Sequence, residues 1–502
     1  MKIYPQYPFQ AHDFETIRFI NKNLLEYGHV NEDGSICVHT LHHPKLTQKL
    51  ALDLNGLKHW IIKYYIKQEA DGAYEHIVVS DTAIDGRKSV FLFTDVNYKF
   101  KNQSYGKFTF SILNHGYWRE TDYTTLLVRK FKINKEEVAC NWGDIYCQNE
   151  EIEGLFYFSD KPPVEYKRFT IKSFDKLESY FSQSFLRFLD MFSKQFRGTC
   201  YIDHLPLLVG YPVNEVEIHW QVMLIPLDNF PNYGKKIAGT NTWVSMLRKQ
   251  PIIWGQTRNS SYKYFFGRGA FHPTITSAKI LIIGIGAIGS MIATTLTRCG
   301  ATDILLVDYD VKEPENICRS EYSFFPGITA KVTELASRLV SISPFVNVAS
   351  SQTLTDFFKI VIQGAENGWR PAIKDRLDEF DIIIDCSTDN DIAFLLDSLG
   401  VRGDIYSLSI TNHASELICA TKHNLYDWLQ NIFHQLKRED DDMYNPTGCW
   451  SPTFKASYND ISVLVQFALR HINDCYKKNL PVRHFYLTTE DKDCFEIKLN
   501  QF

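Results

Sequence analysis

The sequence predicts an α/β protein: a C-terminal doubly wound parallel sheet preceded by two α+β segments. Three observations carry this reading. From about residue 275, apolar strand-like runs alternate with amphipathic helical ones. The first of these strands closes on a cluster of glycines. A chain of 502 residues is also too long for one hydrophobic core, so two or three domains are expected.

The first zone covers residues 1–70. After a Pro-punctuated start and a turn at Asp33-Gly34, Leu46, Leu50, Leu54, Leu57 and Ile61 recur at helical spacing, with Gly56 as a possible interruption. The second zone, 71–270, alternates strand-like runs at 76–80, 90–94, 124–131 and 216–226 with turns and one helical stretch at 185–196. Its chemistry is not legible. In the third zone, 271–502, Ser277 to Gly286 is a continuous apolar strand, Ser290 to Cys299 a helix closed by Gly300, and Asp303 to Asp310 the next strand. Glu379 to Asn390 holds a later strand, and Ile461, Leu464, Val465, Ala468 and Leu469 mark another helix.

Composition excludes several classes. With 44% hydrophobic and 23% charged residues, 26 Gly and 18 Pro, the chain is neither collagen, coiled-coil rod nor largely disordered. A net charge of -5 gives no general drive toward nucleic acid or anionic membrane. No long apolar run and no signal-peptide centre are present, so a cytoplasmic protein is expected. The 11 cysteines include no C-x-x-C pair; structural zinc has no support, and free thiols are expected.

Chemistry concentrates in the third zone. Gly284-Ile285-Gly286-Ala287-Ile288-Gly289 lies between a strand and a helix, the context of a phosphate-binding turn. Asp308 ends the next strand, where a carboxylate accepts bonds from ribose hydroxyls. An NAD-dependent dehydrogenase would show both features. Arg319, Lys331 and the strand end Asp385-Cys386-Ser387-Thr388-Asp389-Asn390 point instead to a triphosphate with Mg²⁺: cations for phosphate oxygens, a carboxylate for the metal.

On the glycine loop, Asp308, Asn316, Arg319, Lys331 and the Asp385 to Asn390 strand end, residues of roughly 275 to 475 resemble the ThiF/MoeB/E1 adenylation family. The resemblance implies a Rossmann-like fold that activates a protein C-terminal carboxylate with ATP. It implies that Asp308 binds ribose, that Arg319 and Lys331 hold phosphates, and that Asp389 coordinates Mg²⁺. It also implies a homodimer that borrows an arginine, for which Arg268, just upstream, is the candidate. The family's Arg-Gln after Asn is here Arg319-Ser320, and its zinc-binding cysteine pairs are absent.

Two cysteines have a context. Cys449 sits between turn-forming residues in Gly448-Cys449-Trp450-Ser451-Pro452-Thr453-Phe454, which resembles the catalytic-cysteine loop of bacterial E1-like proteins; Cys475 competes with it from a helical stretch. Cys37 follows Tyr7-Pro8-Phe9, His29-Val30-Asn31 and Gly34-Ser35-Ile36, which resembles the E2 (UBC) fold around its active cysteine, with Asn31 as an oxyanion donor. Val30 stands where that family has Pro. The resemblance leads to the expectation of an E2-like segment without the fold's usual first helix and strands, whether from a misassigned start, a trimmed chain or a minimal domain. An E2-like segment ahead of an E1-like one resembles the bacterial E1–E2 fusion of CBASS antiphage operons, with 71–270 as a linker domain. That resemblance implies a cGAS-like nucleotidyltransferase as the activated partner, with an unknown conjugation target. A sulfur-carrier-type adenylyltransferase without E2 activity is the alternative, and the dehydrogenase a more distant one.

Overall fold

The computed structural model describes residues 1–9, 15–31, 33–38, 40–69, 83–84, 87–113, 123–143, 146, 150–165, 169–193, 204–215, 217–226, 235–236, 238–240, 243–244, 250–351, 369–436, 455–491 and 495–502. The chain forms two compact units. One holds Met1–Asn141 and Asn149–Ser261; the other holds Trp142–Gln148 and Tyr262–Phe502.

The first unit opens with a two-residue antiparallel pair, β1 (Lys2–Ile3) and β2 (Ile17–Arg18), followed by α1 (Leu46–Trp60), which runs on into a π-helical segment Ile61–Ile66. Gly56 does not interrupt α1. A Cβ there would lie 2.5 Å from Val38 Cγ1 and 2.8 Å from Thr40 Cγ2, so the glycine lets the helix approach the segment that carries Cys37. Val30, Ile36, Val38 and Trp60 form the small core beneath, and Trp60 Nε1 donates to the Gly28 carbonyl at 3.0 Å. Asp53, buried in α1, gathers Tyr7, Thr40 and Lys49; burial, and then the Asp53 carboxylate, push the Tyr7 phenol up to about 12.

Apart from a separate antiparallel pair at Lys235–Lys236 and Trp243–Val244, most of the rest of this unit is one large sheet. Its strands are β3 (Arg87–Phe93), β4 (Tyr105–Ile112), β5 (Tyr123–Ile133), β6 (Ile152–Phe158), β7 (His204–Pro212), β8 (Ile218–Pro226), β9 (Ile253–Trp254) and β10 (Gln256–Asn259). They run in the order β9-β8-β7-β6-β4-β5-β3-β10, with Ala83–Ile84 and Glu136–Ala139 paired to β3 and β5. The strand period of two sends Leu155 and Tyr157 of β6 to one face, against α2 (Gln183–Ser193) with its Phe185 and Leu189. Phe156 points to the other face, where Phe131 stacks on Trp220 with centroids 4.6 Å apart. Both faces are buried, and much of the chain's aromatic content is used here.

The second unit is the expected doubly wound layer. Its strands are β11 (Lys279–Ile283), β12 (Asp303–Val307), β13 (Asn347–Ser351), β14 (Ile382–Asp385), β15 (Asp404–Thr411), β16 (Glu416–Thr421), β17 (Phe485–Asp491) and β18 (Phe495–Gln501). The order is β13-β12-β11-β14-β15-β16-β17-β18; the first five are parallel and the remainder join antiparallel. Helices cover both faces. Ile280 and Ile282 of β11 belong to a core with α3 (Ala287–Arg298), α4 (Lys331–Ile342) and α8 (Tyr458–Lys477). Leu281 and Ile283 pack on the other side with α5 (Trp369–Leu377), α6 (Asn390–Leu399) and α7 (Leu425–Gln435). That two-sided burial is why β11 reads as an unbroken apolar run. Among the described residues no helix is long and apolar enough to cross a membrane.

Candidate functional site

In the parallel half of the second unit the chain passes from β11 outward to β12 and β13, then returns on the other side of β11 at β14. The crevice beyond the carboxyl ends of β11 and β14 is therefore the topological switch point, where open α/β sheets take ligands. A pocket of about 480 Å³ lies there. Gly284, Gly286, Asp308, Asn316, Arg319, Lys331 and Asp389 all line it.

The three glycines do different things. Gly284 has φ +76°, and a Cβ on it would lie 2.6 Å from the Ser387 backbone that leaves β14. A Cβ on Gly289 would lie 2.1 Å from the Gly284 carbonyl oxygen. These two close the turn, and Gly289 stays buried beneath it. Gly286, the N-cap of α3, has nothing within 4 Å of where a Cβ would be; its missing side chain leaves room in the pocket at a helix N-terminus. Tyr322, buried, donates from Oη to the Ile285 carbonyl at 2.5 Å and holds the middle of the loop.

Asp308 accepts from the Ile285 N–H and the Asp310 N–H, both at 2.8 Å, one on each carboxylate oxygen. The carboxylate is thus aimed before any ligand arrives. Lys331, nearly buried at the first turn of α4, meets Asp310 at 2.9 Å. Asn316 accepts from the Glu313 N–H at 3.0 Å in a capping box over the single turn Pro314–Ile317, and Arg319 follows that turn, half-buried.

The far wall is built on a buried acid. Asp385 is 1% exposed and accepts from the Ser387 N–H at 3.1 Å, from Ser387 Oγ at 2.6 Å and from Ser407 Oγ at 2.8 Å. Burial raises its carboxyl above the usual range, and these three bonds oppose that shift. Ser387 Oγ in turn accepts from the Asp389 N–H at 3.2 Å. Thr388 between them has φ +55°, unusual for a residue with a side chain. Asp389 caps α6, accepting from the Asp391 N–H at 2.9 Å. Cys386 also lines the pocket, but burial pushes its thiol well up, so it is a poor nucleophile there.

Composition of the site allows a metal in one form. Among the described residues no group of three or more His, Cys, Asp or Glu side chains is placed to hold an ion. Mg²⁺ carried on a nucleotide takes most of its ligands from phosphate and water, so one carboxylate at the rim, such as Asp389, fits.

Four residues that shape the pocket have no individual role in the sequence reading, although Asp385 and Ser387 belong to the strand end it singles out. Asp385, Ser387 and Tyr322 are described above. Lys312 is 2% exposed and paired with Glu334 at 2.6 Å, its Nζ also donating to the Ser323 carbonyl at 2.6 Å. This ion pair ties the start of the segment bearing Asn316 and Arg319 to α4, which bears Lys331. A lysine in a run of charges gives no sign of burial.

Residues 263–420 match the ThiF family model, a span from just before β11 to the end of β16 that contains every pocket residue predicted above. The chain carries a ThiF family domain. Among relatives, the chain is 26% identical over 318 residues to the ATP-dependent ubiquitin transferase-like protein Cap2 of Enterobacter hormaechei subsp. hoffmannii (strain UCI 50), covering 58% of this chain and 51% of that one. It is 28% identical over 122 residues to ubiquitin-like modifier-activating enzyme 5 of Drosophila simulans, covering 23% and 28%. Among solved structures, E. coli MccB with ATP is 16% identical with a TM-score of 0.33, covering 45% of this chain and 64% of that one. The chain spans about half, or less, of the length of these curated relatives.

The candidate cysteines lie outside the ThiF match. Cys449 is outside the described residues. Cys475 is 7% exposed in α8 with its sulfur 3.8 Å from His471 Nε2, and burial raises its thiol, which weakens it as a nucleophile. Arg268 is exposed and is not among the residues that line the ThiF pocket. In the first unit, Cys37 and the His29-Val30-Asn31 tripeptide meet across a tight turn: Cys37 N–H donates to the His29 carbonyl at 2.8 Å and its sulfur to Asn31 Oδ1 at 3.2 Å. The Asn31 amide nitrogen, the group an oxyanion donor would use, donates to Ser35 Oγ at 2.9 Å.

The glycines allow a sharp test of the ThiF pocket. Gly286→Ala should keep the parent melting temperature while weakening nucleotide binding, because its methyl enters open pocket space. Gly289→Ala should destabilise the fold by about 2 kcal/mol or more, because its methyl meets a backbone carbonyl. Calorimetry with and without nucleotide checks both. Equal stability losses would mean that the second glycine serves the turn and not a ligand.

Proposed function

We infer that this chain activates the C-terminal carboxylate of a protein by adenylation and passes the acyl group on through thioesters. The observation that carries this reading is the convergence of glycine loop, Asp308, Arg319, Lys331 and Asp389 on one pocket at the switch point of a ThiF family domain. The pocket has a ribose acceptor, two cations for phosphate and a rim carboxylate, a set that suits ATP. Mg²⁺ held by Asp389 would neutralise charge on the phosphates.

In the proposed sequence a carboxylate oxygen attacks the α-phosphorus of ATP and pyrophosphate leaves. The Cys449 thiolate then attacks the acyl carbon and AMP leaves, carrying that oxygen. Thioester exchange moves the acyl group to Cys37, and a target nucleophile finally displaces the Cys37 thiolate. Adenylation supplies the leaving group that a bare carboxylate lacks, and the covalent steps divide the barrier. Residues 1–70 serve as the E2-like part, 71–270 as the linker and 271–502 as the adenylating part.

The relative named an ATP-dependent ubiquitin transferase-like protein supports this reading, as does the activating enzyme. By the resemblance to CBASS E1–E2 fusions, the activated protein is a cGAS-like nucleotidyltransferase, the working form is a cytoplasmic homodimer, and Arg268 reaches a partner subunit's pocket. The experiment is exchange of labelled pyrophosphate into ATP by purified protein with that nucleotidyltransferase. Exchange that requires the partner's intact C-terminus supports the reading; nicotinamide binding without exchange overturns it.

A further inference from the structure

A hydrogen-bond chain leads away from Cys37 that the reading above leaves unused. Cys37 Sγ donates to Asn31 Oδ1 at 3.2 Å, Asn31 Nδ2 donates to Ser35 Oγ at 2.9 Å, and Ser35 Oγ donates to Asp33 Oδ1 at 2.6 Å. The Ser35 N–H also donates to Asp33 Oδ1 at 2.9 Å, and Arg18 meets Asp33 Oδ2 at 2.9 Å. Ser35 itself is buried.

The direction of the chain is set from its far end. The Ser35 hydroxyl, with further help from its backbone N–H and from Arg18, holds the Asp33 carboxyl below the usual range, so Asp33 is ionised. A carboxylate only accepts, and Ser35 has a single hydroxyl proton. That proton goes to Asp33, and Ser35 offers Asn31 a lone pair. Only the NH₂ end of the Asn31 amide answers a lone pair, so the amide oxygen is left facing the sulfur. An amide oxygen accepts from a thiol and repels a thiolate; an NH₂ group in its place would favour the thiolate. Beside this corner the His29 ring packs on Tyr64 with centroids 4.7 Å apart, and Lys63 Nζ lies 4.7 Å over the same Tyr64 ring.

We propose that Ser35, tied to Asp33, is a positioning residue that locks the Asn31 amide with its oxygen on Cys37 and keeps the sulfur a thiol in the resting protein. Asn31 can then serve as an oxyanion donor only after this lock opens and the amide turns. The bearing on transfer rests on the proposed role of Cys37; the lock itself does not.

The test is iodoacetamide alkylation of the full chain near neutral pH, with the Cys37 peptide followed by mass spectrometry. Ser35→Ala should speed Cys37 alkylation about three- to tenfold, because the released amide turns its NH₂ toward the thiolate. In an Asn31→Ala background the same Ser35→Ala change should leave the rate where Asn31→Ala alone puts it, since no amide remains to turn. Absence of acceleration in Ser35→Ala overturns the proposal. So does an acceleration that persists without Asn31, which is the signature of local unfolding. Failure of the E2-like reading would show elsewhere, as normal conjugation by Cys37→Ala, and would leave these rates unchanged.

Discussion

Asp389→Asn should lower Mg²⁺-dependent exchange of pyrophosphate into ATP by roughly 100-fold or more, since metal stabilisation of a transferring phosphoryl group is worth several kcal/mol. Its melting temperature should match the parent's. Asp389 caps α6 through the Asp391 N–H, and Asn caps a helix about as well as Asp. Asp389→Ala loses the same activity but also the cap, about 1 kcal/mol of stability, so the alanine variant mixes two effects. Undiminished exchange in Asp389→Asn would mean that the metal is held by another group. A fall in stability equal to the fall in activity would assign Asp389 a capping role alone.

The second large effect separates the two cysteines. Cys449→Ala should keep pyrophosphate exchange yet form no reductant-sensitive adduct with the partner, because no thiolate collects the acyl group. Cys37→Ala should load the partner on Cys449 and accumulate that thioester with no conjugate released. Cys37 is half-buried beside a small core, and removing one sulfur there takes away little packing, so the loss is one of chemistry. Non-reducing gels of enzyme, partner and ATP, repeated with reductant, read both outcomes. A normal conjugate from Cys37→Ala would remove the E2-like role. A thioester that persists in Cys449→Ala would move first capture to another cysteine, and the burial of Cys475 makes direct capture by Cys37 the first to examine.

What could be read from sequence was what the backbone encodes at short range. The glycine spacing, the apolar run of β11, the Asp308 strand end and the Asp385 to Asn390 strand end each reflect local geometry, and the structure gathers them at one pocket. Burial of charge was hidden. Nothing adjacent to Lys312 or Asp385 reveals that Glu334, Ser387 and Ser407 will surround them, because those partners arrive through tertiary packing. Gly56 was misread as a possible helix breaker for the same reason: its use lies in the contact with Val38 and Thr40, outside its own helix. The order of the aromatic sheet, with parallel neighbours such as β5 and β3 brought together from separate runs, has no local signature either.

Adenylation of a carboxylate is tested most directly by oxygen transfer. The partner's C-terminal carboxylate is labelled with ¹⁸O, one round of activation and thiol capture is run with ATP, and the nucleotide products are weighed. The carboxylate oxygen that attacks the α-phosphorus stays with it when the acyl group moves to sulfur. One ¹⁸O atom per turnover is therefore expected in AMP, with unlabelled pyrophosphate. ADP together with ¹⁸O-labelled phosphate would show attack at the γ-phosphorus instead, and would contradict adenylation at this pocket.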